Sequence, residues 1–161
     1  MTYENLMVEI GNNFVGEITL NRPEQLNTFN TPLAGELVQA FKELDAQTTV
    51  RVIILKGAGK AFCAGIDVNE LAGKTAMEYK AWVEHMEKPL VTISRMSKPV
   101  IAQVQGVAAA NGAGLVAAAD LVYYKAFEYM NEAFARLCTT DDAKEGVAAF
   151  FEKRNPEWKL K

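Results

Sequence analysis

Apolar and polar positions along the chain alternate between two periods, and the changeovers predict a short series of strands and helices. Leu6 to Ile10 predicts a strand, Gly11-Asn12-Asn13 a turn of residues that tolerate positive φ, and Phe14 to Leu20 the return strand of a hairpin. Asn21-Arg22-Pro23 ends it. Thr31-Pro32 predicts a helix start, a capping hydroxyl followed by proline at the first helical position. Leu33, Leu37, Ala40, Phe41 and Leu44 then share one helical face. Val50 to Leu55 is β-branched enough for a strand buried on both faces. Lys56 to Gly65 reads as a glycine-bearing loop. The span from Ala76 to Met96 reads as helix, with Pro89 set to kink or split it. After Lys98-Pro99, Val100 to Val104 predicts another buried strand. Gly106 to Gly114 reads as a turn of small residues that leads into an alanine-rich helix ending near Asp120. The repeated strand–loop–helix order points to an α/β fold.

The pattern changes at Val122 to Tyr124. Lys125 to Leu137 is amphipathic, with Ala126, Phe127, Met130, Ala133, Phe134 and Leu137 as its apolar stripe. Thr140 predicts the cap of a last helix, with Asp141 and Asp142 suited to its positive end. Phe150 and Phe151 fall near its end, and Lys153 and Arg154 in its last turn. Residues 1–121 thus form a predicted core and 122–161 a helical region that needs a surface to dock on.

Composition narrows the function classes. The chain has 161 residues, half of them apolar, and a net charge of -3. That suffices for one buried core and gives no electrostatic support to nucleic-acid binding. The densest apolar run, Val100 to Val122, is interrupted by Gln103, Gln105, Asn111 and glycines, so no membrane span is predicted. No secretory leader is visible at Met1-Thr2-Tyr3-Glu4-Asn5. Cys63 and Cys138, the only two cysteines, lie far apart, and the default location is a reducing cytoplasm. With one histidine, His85, and no ligand-like cluster, no metal site is predicted. Cys63 reads as a small buried filler, and His85 as a residue of no catalytic role.

Two stretches carry chemistry. One is Lys60-Ala61-Phe62-Cys63-Ala64-Gly65-Ile66-Asp67. The other is Lys98-Pro99-Val100-Ile101-Ala102-Gln103-Val104-Gln105-Gly106, continuing through Ala110-Asn111-Gly112-Ala113-Gly114 to Asp120. Each puts a turn of small residues directly after a buried strand, where a ligand can approach main-chain amides. Side by side, two such turns can aim two N–H groups at one carbonyl oxygen, as in an oxyanion hole. Either stretch alone also reads as an ordinary tight turn.

Together, and in this order, they resemble the crotonase (enoyl-CoA hydratase/isomerase) family. Asn21-Arg22-Pro23-Glu24-Gln25-Leu26-Asn27 is similar to its Asn-Arg-Pro loop. Phe62 to Asp67 is similar to its Phe-x-Ala-Gly-x-Asp motif, and Lys98-Pro99-Val100-Ile101-Ala102 to Gly106 to its Lys-Pro-x-Ile-Ala…Gly strand and turn. Phe150-Phe151-Glu152-Lys153-Arg154 is similar to its last helix. The resemblance implies a spiral of strand–strand–helix turns with C-terminal helices, and an acyl-CoA substrate in which coenzyme A is part of the substrate rather than a resident cofactor. It implies oxyanion amides at Ile66 and Asn111. Gln25, Leu26, Ala64, Asp67 and Val68 would line the CoA site, and Phe150 and Lys153 its nucleotide end in a trimer or hexamer. Asp67 reads equally as a helix cap.

The chain departs from the family pattern in two places. Hydratases of the family use two glutamates; the first belongs at Gly114, which has no acid, and asparagine replaces the oxyanion glycine at Asn111. The second belongs to a segment after Asp120-Leu121-Val122, but here the chain passes directly to Tyr123-Tyr124-Lys125-Ala126-Phe127, which resembles the family's late helices. Hydration or double-bond isomerisation of an enoyl-CoA is the implied reaction, and Gly114 leans it toward a one-acid mechanism with the acid supplied by the missing segment; no side chain of the chain as written reads as a convincing general base. A non-catalytic CoA-binding or assembly subunit, or a defective truncated form, is the alternative. Asp120 reads as structural.

Overall fold

The computed structural model describes residues 2–124 and 140–159, without the side chains of 147, 150 and 151. The chain divides into two compact units, Met1–Tyr124 and Lys125–Lys161. In the first, β1 (Leu6–Ile10), β2 (Val15–Leu20), β3 (Val52–Gly57), β4 (Val100–Val104) and β5 (Leu121–Tyr124) form one sheet in the order β1-β2-β3-β4-β5. β1 and β2 pair antiparallel as a hairpin; every later pair is parallel. The parallel connections pass through α1 (Thr31–Ala46), α2 (Ala76–Ile93) and α3 (Asn111–Ala118). This is the α/β architecture that the strand–loop–helix order predicts.

The hairpin forms as predicted, but the positive φ falls on Phe14 (φ 65) and not on the turn residues before it, so β2 starts one residue late. A large side chain in this region is uncommon. Here the Arg51 guanidinium lies 4.8 Å above the Phe14 ring, and the Arg51 N–H donates to the Phe14 carbonyl at 2.8 Å. The cap of α1 is Asn30, whose side chain accepts from Leu33 N at 3.0 Å. Thr31 is already in the helix, and its N–H and hydroxyl bond Glu70 instead. Leu33, Leu37, Ala40, Phe41 and Leu44 are buried as a stripe, joined by Ala34.

β3 is two residues further along than predicted, and only Ile53 and Leu55 within it are fully buried; the alternate residues Val52 and Ile54 are half-covered. Its two faces are therefore unequal, which a run of β-branched residues does not reveal. In α2, Thr75 and Glu78 form a reciprocal capping box at the start. Pro89 lies inside this helix without splitting it, and its ring is buried. Burial of the ring offsets the single N–H that it removes from the ladder.

Two predicted boundaries fail near the end of the first unit. The helix after β4 starts at Asn111, not after Gly114, so Gly112 and Gly114 are helical. Tyr123 and Tyr124, taken above with the late helices, are strand residues that pair with Gln103 and Val104. Asp120 joins the two segments: its N–H donates to Val100 O at 2.9 Å, and its carboxylate accepts from Val100 N at 2.8 Å.

In the second unit, Thr140 accepts from Ala143 N at 3.1 Å, as a cap does, and α4 spans Asp141–Glu152. Lys153 (φ 55) and Arg154 lie just past its end and not in its last turn. Arg154 pairs with Glu145 and Glu152. The predicted stripe of Lys125 to Leu137 lies outside the described residues. Among those described, no helix is long and apolar enough to cross a membrane.

Replacing Asp120 with alanine leaves the buried Val100 N–H without its side-chain acceptor. The variant should lose about 1–2 kcal/mol in a urea unfolding titration, with the sheet retained by circular dichroism.

Candidate active site

The site is built where the chain leaves β3 and β4. Past β3, Cys63 N donates to Val107 O at 3.0 Å, and Ala109 N donates to Cys63 O at 3.0 Å. Cys63 and Ala108 thus form a parallel bridge between the two chemistry-bearing stretches. The backbones meet so closely that a Cβ on Gly112 would overlap the Cys63 carbonyl. Gly65 (φ 106) has its missing Cβ position 3.2 Å from Ala110 Cβ. Ala110 holds the strained φ of 45°. The residues directly before Ile66 and Asn111 are therefore in contact.

Among the described residues, neither the Ile66 N–H nor the Asn111 N–H has a protein acceptor. Asn111 opens α3, where the first amides have no partner inside the helix. Ile66 is bridged to Phe29, but that bridge uses the Gly65 carbonyl and the Asp67 N–H, at 2.7 and 2.8 Å. Both residues line an apolar cleft of about 260 Å³, together with Trp82, Met86, Leu90 and Gly114. The Asn111 side-chain amide donates to Met86 O at 3.3 Å, tying α3 to α2. Gly114 faces Leu90, whose Cδ2 lies 2.6 Å from where a Cβ would stand.

The α2 wall of this cleft was not legible as a site. Trp82, Met86 and Ile93 are spaced as a core stripe and are buried as one. Val83 and Glu87, one residue further round the helix, complete the wall. Trp82 is oriented by its indole N–H, which donates to Glu70 at 3.0 Å, and by an edge-on contact with Tyr79 at 6.0 Å. His85 lies off the cleft and bonds Thr31 O at 3.0 Å.

The other predicted residues surround a neighbouring turn. Gln25 ends a short 3-10 turn, and Leu26 (φ 52) and Asn27 (φ 55) follow in left-handed geometry. Ala64 N donates to Leu26 O at 3.0 Å, so this amide is engaged within the protein. Asn27 is fully buried and satisfied: it accepts from Arg22 N and donates to Ala58 O and Ala61 O, at 2.8–2.9 Å. Asp67 caps the turn Val68–Glu70 by accepting from Asn69 N at 3.2 Å, and it pairs with Arg22 at 2.9 Å. The capping role is thus realised, with an ion pair that the sequence did not show. Val68 is 72% exposed. Lys153 is exposed in the second unit, and the Phe150 side chain lies outside the described residues. Burial raises the Cys63 thiol above its ordinary pKa, which suits a packed filler and not a nucleophile.

A sequence model described as enoyl-CoA hydratase/isomerase matches residues 10–127. The chain belongs to the enoyl-CoA hydratase/isomerase (crotonase) family. It is 40% identical over 109 residues to the 1,2-epoxyphenylacetyl-CoA isomerase of Escherichia coli K12, covering 65% of this chain and 42% of that protein. It is also 40% identical over 128 residues to a probable enoyl-CoA hydratase of Rhizobium meliloti, covering 76% and 46%. The crystal structure of enoyl-CoA hydratase from Thermoplasma volcanium superposes with a TM-score of 0.69 at 31% identity, over 74% of this chain and 48% of that one. The fold is therefore crotonase-like. The chain spans about half the length of the curated relatives it matches.

The Arg22 guanidinium holds the Asp67 carboxyl below its ordinary range. A carboxylate with a lowered folded pKa stabilises the fold above its unfolded value of about 4, and this contribution is lost as pH falls through the folded value. Asp67→Asn should therefore cost about 2 kcal/mol at neutral pH. The gap from wild type should narrow below about pH 4, which thermal melts across a pH series would register.

Proposed function

We propose that this chain binds an acyl-CoA thioester, polarises its carbonyl through the Ile66 and Asn111 amides, and stabilises the resulting enolate. The observation that carries the reading is the pair of unbonded N–H groups on abutting turns at one apolar cleft. Preorganised donors of this kind act where charge develops, in a place that water cannot screen. The reaction class is hydration or double-bond isomerisation of an enoyl-CoA, in keeping with the names of the relatives. Gly114 favours isomerisation, which needs one proton-transfer group, over hydration by two.

In the same proposal, Gln25, Leu26, Ala64, Asp67 and Val68 border the CoA moiety. The Ala64 carbonyl, rather than its engaged N–H, is the group this turn offers. Asp67 contributes by fixing the turn through Arg22. Phe150 and Lys153 meet the nucleotide end, with lysine acting as a point charge near phosphate. The assembly is a homo-oligomer, a trimer or hexamer, and the compartment is the cytoplasm.

Asn111 stands at the first helical position, where proline is best tolerated. Asn111→Pro deletes the N–H without touching an intrahelical bond. Turnover of an enoyl-CoA should drop about 100-fold or more relative to Asn111→Ala, which loses the same Met86 tether and keeps the N–H, with acyl-CoA affinity equal in the two variants. Unchanged turnover would rule out this amide as an oxyanion donor.

Gly114→Glu restores an acid only if Leu90 yields space. Hydration of a 2-enoyl-CoA should rise more in Gly114→Glu with Leu90→Ala than in Gly114→Glu alone. Equal rates in the two variants would contradict the crowding that the geometry shows.

A further inference from the structure

With no acid at position 114 and Leu90 standing against it, the described cleft wall offers one other place for a proton-transfer group. Among the described residues that line the cleft, Glu87 is the one titratable side chain. It projects from α2, next to Met86, whose carbonyl holds the Asn111 side chain at 3.3 Å. The helical turn that carries Glu87 is thereby tied to the residue that offers one of the two free amides. The nearby carboxylates are otherwise engaged. Asp67 is bound by Arg22 and Asn69, and Glu70 by Thr31 and Trp82. Glu84, on the same helix, borders the adjoining groove and not this cleft. Glu87 borders both, so it can exchange protons with solvent on one side and face the cleft on the other.

We infer that Glu87 is the catalytic base and acid of this chain, on the acyl-CoA reading above. Its carboxylate takes the proton from the α-carbon of the bound thioester. The C–H electron pair becomes the new bond between the α-carbon and the carbonyl carbon, and the carbonyl pair moves onto oxygen, facing the Ile66 and Asn111 amides. In a 3-enoyl thioester the electrons then return from oxygen, the double bond shifts to the 2-position, and the γ-carbon takes the proton back from Glu87. Nothing is consumed beyond the substrate, and one carboxylate serves both transfers.

The experiment is exchange of the α-protons of butyryl-CoA in deuterium oxide, followed by NMR, with butyryl-CoA binding measured by calorimetry on the same samples. Wild type and Glu84→Gln should exchange at equal rates. Glu87→Gln should bind butyryl-CoA as wild type does and exchange about 100-fold more slowly. Exchange by Glu87→Gln at the wild-type rate overturns the assignment. So does joint loss of binding and exchange, which marks a structural role. If wild type binds but does not exchange, Glu87 is not a base and the thioester-binding reading stands. If wild type binds no butyryl-CoA, both readings fall.

Discussion

Cys63 is bonded through its N–H to Val107 and through its carbonyl to Ala109, so the chain leaving β3 runs in parallel register with the chain leaving β4. This short pairing lies beyond the ends of both strands and outside any regular ladder. It is nonetheless what brings Gly65 against Ala110 and leaves the next two amides, Ile66 and Asn111, without protein acceptors at one cleft. The approach requires missing side chains on the chain leaving β4. A Cβ at Gly112 would strike the Cys63 carbonyl, and one at Gly106 (φ 60) the Lys60 carbonyl. Both glycines serve close backbone contact, and Gly106 also a positive φ, so a larger residue would clash at either position. Asn27 supports the same loops from beneath, donating to Ala58 O and Ala61 O from a fully buried site. A buried amide that is this well satisfied fixes a loop in one conformation, because no alternative placement offers it equal partners.

The sheet and the first helix were legible because each depends on local pattern. β1 and the buried stripe of α1 follow period and β-branching, and the structure keeps them. The failures share a physical origin: short-range signals there compete with tertiary contacts. Gly106 to Gly114 reads as a turn because small residues lack helical stripes, yet Asn111–Ala118 is helix, held by closeness to Cys63 and by the Asn111 tether. Tyr123 and Tyr124 sit at a change of composition, and only their pairing with β4 makes them a strand. Asn30 outcompetes Thr31 as the cap because Glu70, distant in sequence, claims the threonine hydroxyl. The Thr75…Glu78 capping box is a local pair that the reading of Ala76 to Met96 as helix did not use.

The candidate site divides along the same line. The turns after β3 and β4 are marked by glycine and by family resemblance, so their meeting could be anticipated from sequence. The α2 wall could not, because a stripe of Trp82, Met86 and Ile93 is what any core helix presents. Which edge of that stripe faces a cleft depends on where α3 docks, and α3 was itself misplaced. Arg22 and Asp67 were each noticed, but an ion pair across 45 residues of sequence has no local signature.

A main-chain donor and a side-chain acid respond differently to sequence change, and this chain separates the two. An amide is present whatever residue carries it. Asn111 can therefore replace glycine while its side chain is held aside by Met86 O, and the N–H remains available. An acid is lost outright when glycine takes its place, as at Gly114, and the vacated volume passes to Leu90. On the proposed reading, stabilisation of developing charge is the part of the site fixed by backbone register. Proton transfer is the replaceable part, set by whichever carboxylate the cleft wall presents. Chemistry within such a fold can change by relocating one acid along the wall, without disturbing the two turns that present the Ile66 and Asn111 amides to the cleft.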